Sequence, residues 1–171
     1  MVSRRREERT SRNVSLLISM LVRYPEVGSV KYEPRQQTIR LSLLISGAMN
    51  EEEWDRTATS LLDTLEVYHL LGQRTPTTLE VERDGYGELT TIAITRDVAT
   101  LSPEEIYTAI EFFRERFPGR LVVETFDYGA EDEMTAQDEM IEEILADLEE
   151  NRTGQNLIAI REEGRVMVFQ K

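Results

Sequence analysis

The apolar residues of this chain change their spacing repeatedly, from every third or fourth residue to every second residue and back. That alternation restricts it to helices packed on an antiparallel sheet. Val14, Leu17, Ile18 and Leu21 share one face of a first helix, which Asn13 can cap and Pro25 ends. Two alternating runs follow, Val30 with Tyr32 and Ile39 through Ile45, joined by the turn Pro34-Arg35-Gln36-Gln37. Asn50 and Glu53 form a capping box that opens a second helix, with Trp54, Leu61, Leu65 and Tyr68 on its apolar stripe and Gly72 as its stop.

The same plan then repeats. Leu79 and Val81 alternate, Asp84-Gly85-Tyr86-Gly87 turns, and Ile92 and Ile94 alternate. Ser102-Pro103-Glu104-Glu105 supplies an N-cap, a proline at the first helical position and a capping glutamate. Ile106, Ile110, Phe113 and Phe117 form that helix's stripe, and Leu121-Val122-Val123 reads as a further strand. Residues 30–69 and 79–117 thus echo each other in pattern, with little residue identity. Beyond an acidic connector at 127–134, Met140, Ile141, Ile144, Leu145 and Leu148 mark an amphipathic helix from about Thr135 to Glu150, followed by a hairpin around Glu162-Glu163-Gly164.

The expected class is α+β: an antiparallel sheet with helices on one face. Its core, from Thr38 to Phe126, reads β-α-β-β-α-β, the ferredoxin-like order, with an added N-terminal helix and strand and a C-terminal helix-hairpin extension over 135–171. A competing parse takes residues 13–83 as an α-β-β-α-β unit. The length of 171 residues suits one domain over 13–171, large enough to bury a core without staples. Residues 1–12, with five arginines against two glutamates, read as a disordered basic arm.

Composition removes several function classes. The chain has no cysteine, so thiol catalysis, iron–sulfur ligation and cysteine zinc sites are excluded, and a reducing, cytoplasmic setting is expected. The formal net charge of −13 opposes general binding to phosphate backbones. The run from Val14 to Val22 is too short to span a bilayer, and no small-residue cleavage site follows it, so neither membrane nor export signal is expected. Gly85 and Gly87 lie in a hairpin, so they make no phosphate loop.

The remaining chemistry is sparse. His69 is the single histidine, and the sequence places no partner to make it a general base; a capping or exposed role at the end of its helix is expected. The acids Glu131, Asp132, Glu133, Asp138, Glu139, Glu142, Glu143 and Asp147 read as a solvated face rather than a cation site. Trp54 reads as a core anchor. No catalytic, cofactor, metal or small-molecule site is expected. The sequence points to a non-enzymatic interaction or regulatory protein that works by docking, its face of Met140, Ile141, Ile144 and Leu148 offered to the sheet, to a second copy or to a protein partner. The second reading is an RNA- or ribosome-associated factor whose contacts are Arg4, Arg5, Arg6, Arg9 and Arg12. An enzyme built on a carboxylate pair comes third.

Overall fold

A computed structural model describes residues 2–124, 131–148 and 154–170. Its elements are α1 (Val2–Arg23), β1 (Val27–Glu33), β2 (Thr38–Ser46), α2 (Glu51–Leu71), β3 (Leu79–Tyr86), β4 (Leu89–Asp97), α3 (Pro103–Arg116), α4 (Glu131–Leu148), β5 (Leu157–Glu162) and β6 (Arg165–Gln170). The strands form one six-stranded sheet in the order β3-β4-β2-β1-β5-β6, antiparallel throughout.

The register aligns side chains into rows across all six strands. Val81, Ile94, Leu41, Val30, Ala159 and Val168 make one such row on the face that the helices cover. Its four central members are buried in a single core with Leu61 and Leu65 of α2, Ile110 and Phe113 of α3, Leu17 and Leu21 of α1, and Ile144 of α4. Alternation of side chains across the sheet explains why a period-two pattern in sequence builds this wall. Among the described residues no helix is long and apolar enough to cross a membrane.

Two ββα units stand about an approximate two-fold axis between β2 and β4. One is β1-β2-α2 and the other β3-β4-α3. Leu41 pairs with Ile94 and Leu43 with Ile92, the reciprocal pattern that such an axis requires. Both helices open on the expected caps: Asn50 Oδ1 accepts from Glu53 N–H at 2.8 Å, and Ser102 Oγ from Glu105 N–H at 3.2 Å. The echo in the sequence therefore has a spatial counterpart.

The ferredoxin-like order is not what the sheet shows. Its last strand, expected at 121–123, is reduced to a single bridge between Leu121 and Ile45. That segment lies beside the end of β2, with Val122 N–H donating to Leu44 O at 2.9 Å, while the rest of that edge is taken by β1, which the expected core left outside. β1 in turn pairs with β5, so the C-terminal hairpin extends the main sheet.

The N-terminal residues also differ from expectation. α1 begins at Val2, so the basic segment continues the helix rather than forming a disordered arm. Arginine and glutamate are good helix formers, and Arg4 with Glu8 forms an i,i+4 pair at 3.7 Å. Further along, Arg12 bonds Asp147 of α4 at 2.6 Å and Glu143 at 3.3 Å, and Arg23 grips Asp138 at 2.9 and 3.3 Å. These pairs run α1 and α4 antiparallel. α4 itself starts at Glu131 rather than at Thr135. The first half of the expected connector, residues 127–130, lies outside the described residues.

Candidate functional site

The buried polar chemistry gathers where the two ββα units meet. Arg96 follows Thr90, Ile92 and Ile94 on the covered side of β4, in a row otherwise built from Leu79, Ile39, Tyr32 and Leu157. It is 1% exposed. A guanidinium placed there must find anions inside the protein. Glu105, in the first turn of α3 and 2% exposed, supplies one: Nε donates to Oε2 at 2.6 Å and Nη2 to Oε1 at 2.7 Å. Asp97 supplies the other, bonded to Nη1. Nη1 also donates to Thr78 O at 3.1 Å, and Nη2 to Thr100 Oγ1 at 2.9 Å.

His69, near the end of α2, completes the cluster. Its Nε2 lies 2.6 Å from Glu105 Oε1. A carboxylate accepts, so Nε2 carries the proton and donates. The nearby Arg96 Nη2, at 3.3 Å, then packs against the ring without bonding to it. His69 is 4% exposed, so the expected exposed or capping role is corrected. The ring lies inside because α2 carries it on the same flank as Leu61 and Leu65. Next to it, the Tyr68 hydroxyl and Ser102 Oγ are 2.8 Å apart, which adds a side-chain contact to the α3 cap.

Asp97 shows the electrostatics of the cluster. Burial pushes its carboxyl upward, but hydrogen bonds from Thr100 and from the Thr78 N–H, together with Arg96, more than offset that and hold it below its ordinary value. The Thr100 hydroxyl donates to Oδ2 at 2.6 Å and the Thr78 N–H to Oδ1 at 3.1 Å. Donors and acceptors here satisfy one another, and Arg96, Asp97, Glu105 and His69 are closed to solvent. Chemically the cluster is a clasp that ties α2, β4 and α3 together.

A second internal cation, Arg161 of β5, fastens the other half. Its Nη1 donates to Pro25 O at 2.9 Å, and Nη2 donates to Leu21 O. The carbonyls at the end of α1 are the groups a helix leaves without intrahelical partners. Burial holds the Arg161 guanidinium below its ordinary value, with Glu124 opposing.

The residues expected to dock a partner are already occupied. Ile141, Ile144 and Leu148 are buried in the protein's own core, and Met140 packs against it. Met140 Sδ meets the Ser19 hydroxyl of α1 at 4.0 Å. Of the expected RNA contacts, Arg12 is tied to α4 and Arg4 to Glu8, while Arg5 is exposed. The side chains of Arg6 and Arg9 lie outside the described residues, as do those of Glu131, Asp132 and Glu133. Among the described residues, no group of three or more acids and histidine could hold a metal ion. Trp54 is partly buried against the core, with the Arg83 guanidinium 5.8 Å from its ring centre.

What remains open is the second face of the sheet, on which no described helix packs. Its rows are graded. One reads Glu80, Thr95, Arg40, Lys31, Ile158, Phe169, and the next Glu82, Ala93, Ser42, Ser29, Ile160, Met167. The β3 side is acidic and the β5–β6 side apolar, with Phe169 48% exposed. In the middle lies a shallow depression lined by Lys31, Gln36, Thr38, Arg40 and Thr95. Its cations are matched by acids: Lys31 bonds Glu33 at 2.9 Å and Arg40 bonds Glu82 at 3.1 Å.

Sequence reasoning missed both the clasp and this face. The signal for the clasp was an arginine at the next inward position after Ile92 and Ile94. For the face, it was apolar residues on both sides of the last hairpin. No family model matches this chain, and neither does any curated protein or solved structure.

Proposed function

We propose that this chain is a non-enzymatic interaction protein that docks a basic, amphipathic segment of another protein across the open face of its sheet. The observation that carries this reading is the gradient across that face, from Glu80, Glu82 and Asp84 on β3 to Ile158, Ile160, Met167 and Phe169 on β5 and β6. Six strands at about 4.8 Å spacing separate the outermost rows by roughly 24 Å. A helix of about 16 residues covers that distance at 1.5 Å per residue. A partner with lysines or arginines at one end and an apolar stripe at the other matches both sides. The net charge of −13 favours such a partner at long range.

The test compares captures from the native cells. Tagged full-length protein, Glu80→Lys with Glu82→Lys, Ile160→Glu, and a control Leu70→Lys on the outer side of α2 are purified with and without ribonuclease. The reading expects one stoichiometric protein that the control retains, both face variants lose and added salt releases. Capture that the face variants leave unchanged overturns it. Loss on ribonuclease treatment would instead transfer the function to the basic end of α1.

A further inference from the structure

The sheet ends in two edges of opposite character. β3 presents Glu80, Glu82 and Asp84 along its open-face side, so a second copy laid against it would set acid beside acid. Edge strands are commonly protected from self-pairing in this way. β6 lacks that protection. Its sequence is Arg-Val-Met-Val-Phe-Gln, with no acid, lysine or proline, and among the described residues no strand pairs with its outer side.

We infer that β6 is a self-pairing edge whose occupant is the β6 strand of a second copy, joined antiparallel about a two-fold axis at Met167. The hairpin geometry decides which backbone groups are free. Glu162 pairs with Arg165 across a two-residue turn in which Glu163 and Gly164 have φ of 49° and 76°. Two left-handed residues make the primed turn that matches strand twist, and the residues flanking it exchange hydrogen bonds. Arg165, Met167 and Phe169 therefore bond inward to β5, while the N–H and C=O of Val166, Val168 and Gln170 point outward.

Pairing about Met167 sets Val166 against Val168 of the second copy, twice, with four new backbone hydrogen bonds. On the helix-covered side these valines meet one another. On the open side Met167 meets its own counterpart and Arg165 lies across from Phe169, a cation beside a ring. Moving the axis to Val168 would instead set Val166 against Gln170 and forfeit an apolar pair. Charge agrees with this choice of occupant. In a chain of net charge −13, β6 is the edge on which two copies approach without opposed acids. α1 adds apolar surface nearby, since Val14 and the exposed Ile18 lie on its flank turned away from α4. The pair would form one continuous twelve-stranded sheet with both graded faces on the same side.

The experiment measures the mass of the full chain by sedimentation across a range of concentration. The wild type is expected to be a dimer at micromolar concentration. Val168→Pro removes an outward N–H, which an edge strand tolerates, and should weaken association by at least about tenfold while the far-ultraviolet circular dichroism stays native. Met167→Glu and Met167→Lys should each be monomeric alone and should associate when mixed, because the two-fold axis brings position 167 against itself. A monomeric wild type, a Val168→Pro variant that dimerises as tightly as the wild type, or charge variants that do not recover on mixing would overturn the inference. The docking reading is tested separately, because it concerns the face of one copy. Partner capture by a monomeric Val168→Pro protein would leave that reading standing if the dimer failed.

Discussion

Arg96 and Glu105 face each other fork to fork inside the protein, with Nε to Oε2 at 2.6 Å and Nη2 to Oε1 at 2.7 Å. The position related to Arg96 by the internal two-fold is Ile45, the eighth residue of β2 as Arg96 is of β4, and it is an ordinary core side chain. The two halves of the sheet thus solve the same packing position differently, one with an aliphatic residue and one with a clasped cation.

Removing the carboxylate should be costly. Glu105→Ala leaves a buried guanidinium with Asp97 as its one anion and is expected to destabilise by about 3–5 kcal/mol. The double change Arg96→Ile with Glu105→Leu removes both charges and should lie closer to wild type in urea unfolding. A double variant less stable than Glu105→Ala would show that the pair contributes net stability.

Asp97 gives the acid limb of stability a defined sign. Its folded-state pKa lies below the ordinary value of 3.8. Below that value the folded chain binds fewer protons than the unfolded chain, so this contribution is complete above pH 3.8 and is lost as pH falls through the lower folded-state pKa. The stability difference between wild type and Asp97→Asn should therefore be constant from neutral pH down to about 4 and shrink below it, as followed by urea unfolding at successive pH values.

The alkaline limb has the opposite sign. Burial pushes the Tyr32 hydroxyl up to about 12, and burial raises Tyr24 as well. Both phenols stay protonated in the folded chain at a pH where the unfolded chain ionises them. Stability from these groups is full below pH 10.0 and declines as pH rises through the folded-state values. Ultraviolet titration should show two of the six tyrosines ionising late, or only with unfolding.

The caps should separate in size. Asn50→Ala removes one side-chain acceptor from α2 and should cost about 1 kcal/mol. Ser102→Ala removes both the α3 cap and the partner of the Tyr68 hydroxyl, and should cost about 2 kcal/mol. Equal costs in thermal unfolding would mean that the contact between Tyr68 and Ser102 adds nothing.

Arg161 holds the end of α1. Arg161→Met keeps much of the packing but releases the carbonyls of Leu21 and Pro25. Amide exchange over residues 21–27 should speed up before that of α2 and α3, because the ties broken are local to that corner.

Local physics made much of this protein legible in its sequence. The alternation at Ile39 through Ile45 and at Ile92 and Ile94, and the caps at Asn50 and Ser102, depend on neighbours within a few residues, and the chain carries that information directly. The order of the strands, the burial of the α4 stripe under α1 and the partners of Arg96 are decided by contacts far apart in the chain. Arg23 meets Asp138, Val30 meets Ala159, and His69 of one ββα unit meets Glu105 of the other. An amphipathic stripe states that it must be covered but not by what. An inward arginine states that it needs an anion but not which one. Only when the strands pair in register does the chain place Glu105 over Arg96, turn the face of Met140, Ile141, Ile144 and Leu148 inward, and leave β6 as the edge without acids.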